Sequence, residues 1–229
     1  MTAKKICKTI SNIEDKLLLV LFIIIFLIGA YGVYDSYYVY HGAQDKSLLA
    51  YKPDGDSGDS LKDLSENAVA WITVDNTTID YPVMQGKDNF EYLTLNPYGE
   101  YSLAGSIFLD AGNDPNFNDK YSLLYGHHMS GGHMFGALDY FLEEDYFNSH
   151  ETGTLITREK TYKITFFAVM KPDTSDSAVF NIHESDNIGS FISQNALYKR
   201  NASGNKIIAL STCSEESTTA RTVLFGYLK

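Results

Sequence analysis

Three side-chain types set far apart in this sequence have the chemistry of acyl transfer: the thiol of Cys213, the imidazoles of His127 and His128, and the guanidinium of Arg221. A thiolate attacks a carbonyl carbon, a histidine moves the proton that nucleophile and leaving group exchange, and a fixed cation steadies charge growing on oxygen. Cys213 ends the run Lys206-Ile-Ile-Ala-Leu-Ser-Thr-Cys213, and Arg221 follows eight residues later, across the turn-like segment Ser214 to Ala220. Two adjacent antiparallel strands joined there bring both residues to one end of a sheet. Arg221 is one of three arginines, with Arg158 and Arg200, in a lysine-rich chain. Its planar fork suits a carbonyl oxygen, although by itself it reads as a strand arginine in a surface ion pair.

The base is sought in Tyr121-Ser-Leu-Leu-Tyr-Gly-His127-His128-Met-Ser-Gly-Gly-His133, where an apolar strand runs into Gly126 and histidine. A rigid strand end fixes a functional side chain well, so His127 or His128 could face Cys213. A zinc site at His127, His128 and His133 is disfavoured, because adjacent histidines on a strand point to opposite faces and the spacing matches no compact zinc motif. Asp114-Pro-Asn-Phe-Asn-Asp119 begins like an EF-hand loop but has Asp119 where glycine is required and Tyr125 where the bidentate Glu belongs, so an Asx-rich turn is expected. No metal or other cofactor is expected.

The compartment follows from the N-terminus. Eighteen uncharged residues from Leu17 to Tyr34, bounded by Lys16 and Asp35, make roughly 27 Å of helix, close to one hydrocarbon core. Lys4, Lys5, Lys8 and Lys16 precede the run against only Glu14 and Asp15, which places residues 1–16 in the cytoplasm and the rest outside. Tyr31, Tyr34, Tyr37, Tyr38 and Tyr40 suit an outer interfacial belt. A cleaved signal peptide is the rival, with Ala30-Tyr31-Gly32 as a passable site, but the run exceeds the usual apolar region of about 7–15 residues. Cys7 and Cys213 then lie on opposite sides of the membrane and cannot pair, which leaves reactivity, or an intermolecular disulfide, as the reason for Cys213. Of the net charge of −11, residues 17–229 hold −13, which argues against nucleic acid and against an anionic membrane surface as partners.

The expected organisation is a cytoplasmic segment 1–16, an anchor 17–34, a polar stalk 35–59 containing Lys52-Pro-Asp-Gly-Asp-Ser-Gly-Asp59, and one domain over 60–229. That domain is mainly β. Eight runs read as strands: Ala70 to Val74, Thr78 to Met84, Ser106 to Leu109, Tyr121 to Tyr125, Gly153 to Thr157, Thr161 to Met170, Lys206 to Leu210 and Thr222 to Leu228. Leu61 to Asn67, Asp88 to Leu95 and Met134 to Phe141 read as short helices, and Asp186 to Tyr198 as a longer one between two strands. The sequons Asn76-Thr-Thr and Asn201-Ala-Ser would matter only in a glycosylating host.

Tyr-Gly-His127, Leu210-Ser-Thr-Cys213 and Arg221 at the start of a C-terminal strand together resemble the sortases, membrane-anchored cysteine transpeptidases of Gram-positive bacteria. The resemblance runs from about residue 60 to the end and extends to the anchor. The helical insertion before the cysteine strand, the extra N-terminal helices and His127 followed by Met134-Phe-Gly look like class B. Alignment to Tyr-Gly-His selects His127 over His128, and Ala209 stands where the family pattern Thr-Leu-x-Thr-Cys begins with threonine. The resemblance implies a closed eight-stranded β-barrel with short N-terminal helices and a helix inserted before the cysteine strand. It implies that Cys213 attacks the threonine carbonyl of a C-terminal sorting motif in a secreted protein, that His127 protonates the leaving amine, and that Arg221 holds the carbonyl or oxyanion. A peptidoglycan precursor amine would then release the thioacyl enzyme. Ser211 and Thr212 beside the nucleophile, and Leu93 in Asp88-Asn-Phe-Glu-Tyr-Leu-Thr, are the implied substrate contacts, although Leu93 also reads as ordinary core. An exported cysteine peptidase or wall-peptide hydrolase, and a non-catalytic membrane-anchored binding protein, are the competing functions.

Overall fold

The structure, a computed structural model, describes residues 3–43, 45–54, 60–213 and 220–229. Two compact units divide between His41 and Gly42. The first holds all but the last two residues of the helix α1, Ala3–Ala43, whose apolar stretch is exposed and is long and apolar enough to cross a membrane.

The second unit holds strands β1 Ala68–Val74, β2 Asp80–Met84, β3 Ile107–Leu109, β4 Tyr121–Tyr125, β5 His128–Met129, β6 His133–Met134, β7 Thr152–Thr157, β8 Thr161–Met170, β9 Tyr198–Lys199, β10 Lys206–Cys213 and β11 Arg221–Leu228. Its helices are α2 Ser60–Leu64, α3 Glu144–Ser149, α4 Ser177–Phe180 and α5 Ile188–Asn195. The sheet order is β11-β10-β4-β3-β2-β1-β7-β8-β9, and β11 also pairs with β8, which closes eight strands into a barrel. β9 is the extra strand. It continues the edge of β8 at Ala168 and Val169, beyond the reach of β7. The pairs β4–β10 and β2–β3 are parallel and the rest antiparallel, so the barrel is mixed. All eight expected strands form.

Local sequence explains the layers. In β8, Tyr162, Ile164 and Phe166 point inward while Lys163 is exposed, the period-2 alternation of a half-buried strand. β10 lies between β4 and β11, and Ile208-Ala-Leu-Ser-Thr212 is buried without alternation. Ala209 packs among Leu123, Val223 and Phe225, an apolar setting in which the family's threonine hydroxyl is not needed for packing. Ile188 and Ile192, one helical turn apart in α5, seat the insertion on that same cluster.

Residues 35–59 differ from the expected stalk. α1 runs to Ala43, and Lys46–Tyr51 form a 3-10 helix capped by Asp45, whose carboxylate accepts from the Ser47 N–H at 2.9 Å. Leu48 is buried with Leu61, Trp71 and Tyr92, and Lys52 pairs with Asp80 at 2.7 Å. Leu48 and Tyr51 supply apolar contacts that composition counting misses in a polar stretch. The Gly55 to Asp59 part of the stalk lies outside the described residues, as does Ser214 to Thr219. The Asp114–Asp119 loop is an Asx turn: Asp114 Oδ1 accepts from Asn116 N, and Asp119 Oδ2 accepts from Asp114 N and Asn113 Nδ2.

Candidate active site

Register brings the distant residues together. Cys213 and Arg221 are direct Cα partners in the β10–β11 pair. On the other edge of β10, Ser211 is opposite Tyr125 of β4, and the Gly126 N–H donates to the Ser211 carbonyl at 3.1 Å. Two residues beyond Ser211 is Cys213, and two beyond Tyr125 is His127. The ends of β4, β10 and β11 therefore carry the histidine, the cysteine and the arginine side by side.

These ends border a cavity of about 410 Å³, whose described lining includes His127, Arg221, Tyr125, Leu93, Asn89 and Phe90. Phe90 stands at its rim with 75% of its surface exposed. His127 Nε2 lies 2.7 Å from the Leu93 carbonyl oxygen. A carbonyl only accepts, so the proton sits on Nε2 and Nδ1 is the nitrogen left to gain or lose one. Arg221 is fixed at its backbone, its N–H donating to the Pro172 carbonyl at 3.0 Å, and its guanidinium carbon lies 5.9 Å from the centre of the Phe180 ring. The other two arginines serve the scaffold. Arg158 donates to the carbonyls of Ala68 and Glu66, and Arg200 stacks on Phe147 at 4.1 Å.

A polar network backs the cavity. The buried Asp110 accepts from Tyr125 Oη at 3.1 Å, Asn89 Nδ2 at 2.8 Å and Gly112 N at 2.9 Å. Asn89 Oδ1 in turn accepts from Ala111 N at 2.7 Å. Burial first, then the charge of Asp110 and its hydrogen bond, push the Tyr125 phenol well above its usual value, with Arg221 pulling the other way. Tyr125 is thus a protonated donor at any working pH and no candidate for the base. Asp110, Asn89 and Tyr125 escape sequence reading, because the hydrogen bonds that join them to one another cross fifteen or more residues.

The doubled histidine separates as alternation requires. His128 Nε2 lies 3.2 Å from Asp139 Oδ2, not in the cavity. Leu93 lines the cavity, as the resemblance implies, and it also contributes the carbonyl that holds the histidine. Ser211 and Thr212 are fully buried in β10 and are not among the described lining residues. The Ser211 hydroxyl has no hydrogen-bond partner among the described residues.

Gly105 supports the Leu93 carbonyl from below. Its φ is +59°, and a Cβ there would lie 2.6 Å from that oxygen. Gly105→Ala is therefore expected to cost about 1–3 kcal/mol of stability and to slow turnover by displacing the acceptor of His127. Thermal melting and steady-state rates on the same preparation check both.

The chain matches the family model of the sortase domain over residues 72–229. It is 35% identical over 181 residues to sortase B of Listeria monocytogenes, covering 75% of this chain and 74% of that protein. It is 30% identical to sortase B of Staphylococcus aureus, covering 72% of each. Among solved structures, a class B sortase of Streptococcus pyogenes involved in pilus biogenesis superposes with a TM-score of 0.69 at 38% identity, over 75% of this chain and 97% of that one.

Proposed function

The chain belongs to the sortase family, class B, and is a cysteine transpeptidase; from that membership we propose that it cleaves a C-terminal sorting motif of secreted proteins after threonine and joins the new carboxyl terminus to a peptidoglycan amine. Cys213 as thiolate attacks the threonine carbonyl carbon. The carbonyl oxygen takes the negative charge of the tetrahedral intermediate beside the Arg221 guanidinium. Collapse breaks the C–N bond, and a proton from His127 Nδ1 goes to the departing amine, leaving a thioacyl enzyme. The wall precursor amine then adds to the thioester and gives up a proton to His127. Expulsion of the Cys213 thiolate leaves an amide. Phe90 and Leu93 offer the motif's side chains an apolar wall, with Ser211 and Thr212 acting from beneath the nucleophile as part of its strand.

The observation that supports this reading is the register that makes Cys213 the Cα partner of Arg221 and aligns its strand with the one that leads to His127, together with the cavity that His127 and Arg221 line. We read α1 as an uncleaved anchor with residues 1–16 in the cytoplasm and the barrel outside, next to membrane-held substrates, where tethering raises local concentration. The proposed organisation is a cytoplasmic segment 1–16, an anchor 17–34, a linker 35–59 that includes the 3-10 helix Lys46–Tyr51, and a catalytic domain 60–229.

The test is the full chain in detergent micelles with quenched peptides bearing threonine before the scissile bond, with and without an amine acceptor. An amide product by mass spectrometry whenever acceptor is present is the expected result. Carboxylate product only, unaffected by acceptor, would point to the exported peptidase or wall-peptide hydrolase, and no turnover with an intact thiol to the binding protein.

A further inference from the structure

We propose that Asp139 is a positioning residue for the transpeptidation reaction, clamping the strand ends that carry His127 and Arg221 into one register; the proposal rests on the function argued above. Asp139 lies in the 3-10 helix Gly136–Leu142, away from the cavity lining. Its Oδ2 is 3.2 Å from His128 Nε2, and its Oδ1 accepts from the Thr222 hydroxyl. His128 is the chain neighbour of His127, and Thr222 that of Arg221. One carboxylate therefore ties together the two residues that flank the site on different strands.

The geometry suits that task better than general stability. Thr222 is fully buried on β11 with Thr212 as its Cα partner, and strand alternation turns its side chain away from the side on which its neighbour Arg221 lines the cavity. The segment carrying His127 needs such fastening. Past Gly126 it becomes the short β5–β6 ribbon, with Gly131, Gly132 and Met134 all at positive φ. Thr78 donates to the Gly132 carbonyl, and Tyr81 Oη accepts from the Met134 N–H at 3.1 Å, which ties the ribbon to the β2 side. Asp139 ties it to the β11 side. The Leu93 carbonyl holds His127 and the Pro172 carbonyl holds Arg221 separately, and the Asp139 carboxylate links the neighbour of one to the neighbour of the other.

The experiment uses the full chain with four changes: Asp139→Asn, Thr222→Val, Thr222→Ser and the double change Asp139→Asn with Thr222→Val. Two quantities are read below the melting temperature of each variant: kcat and KM for amide formation, and the iodoacetamide alkylation rate of Cys213 at neutral pH. The clamp predicts kcat lower by about tenfold to 100-fold in Asp139→Asn and Thr222→Val, with KM little changed. It also predicts slower alkylation, near-wild-type values for Thr222→Ser, and a double variant no worse than the poorer single one. Thr222→Val is nearly isosteric, so it reports even if Asp139→Asn fails to fold. Wild-type kcat and alkylation in folded variants would overturn the proposal, as would equal losses in Thr222→Ser and Thr222→Val. The alkylation comparison stands whether or not the wild type turns over, so failure of the transpeptidase assignment is seen separately as a wild type that forms no amide.

Discussion

Cys213→Ala is expected to reduce both cleavage and amide formation by about six orders of magnitude, the loss seen when a nucleophile is removed from a cooperating set, with no change of fold. The reason lies in what else borders the cavity. Tyr125 is committed as a donor to Asp110 and its phenol is held well above its usual value, so it cannot ionise to take the thiol's place. Both ends of the Asn89 amide are engaged. The Ser211 hydroxyl is buried in the strand interior, two residues before the nucleophile. Among the described lining residues no second nucleophile is at hand, and water attacking without a thioacyl intermediate meets the full barrier of amide hydrolysis. Turnover of quenched peptide by a well-folded Cys213→Ala, at even a hundredth of the wild-type rate, would sink the thioacyl mechanism.

The barrel was legible because its strands obey short-range rules. Tyr162, Ile164 and Phe166 alternate with Lys163 and Thr165, and the run Ile207 to Leu210 is apolar throughout because both faces of its strand are covered, the Ala209 side by Ile188 and Ile192 of the insertion. Helices were legible in place more than in type: the stretches Asp88 to Leu95 and Met134 to Phe141 hold the 3-10 helices Glu91–Leu93 and Gly136–Leu142, whereas α3, with only Phe147 buried, has too few apolar positions to read. Within the polar linker, the contacts of Leu48 and Tyr51 with the core were hard to read for a related reason, since two apolar residues make no periodic pattern.

At the site, Cys213, His127 and Arg221 could be read because each carries its chemistry in its side chain. The Leu93 carbonyl could not, since every residue has one and only the fold aims it at His127 Nε2. Asp110 and Asp139 were invisible for want of locality. Asp139 meets Thr222 across 83 positions of sequence, a separation at which no spacing rule operates. The choice between His127 and His128 is intermediate: alternation says that they face opposite ways, but which one faces the cavity needed either a family pattern or the register of β4 on β10.

That register also sets the second large effect. His127→Gln is expected to lower kcat by about 10²–10⁴-fold, the usual span for a positioned acid–base group, while KM stays close to wild type. Glutamine's amide can still donate to the Leu93 carbonyl, so the wall of the cavity keeps its shape and substrate its binding surface. It has no nitrogen that takes up and releases a proton, so the leaving amine must depart unprotonated. His128→Gln is the matched control. It disturbs the link to Asp139 but lowers kcat by less than His127→Gln does, because the proton travels through the other ring. If His127→Gln instead kept a near-wild-type kcat and His128→Gln lost it, the proton would pass through the ring facing Asp139. The approach of β4 to β10 would then align the wrong one of the two histidines with Cys213.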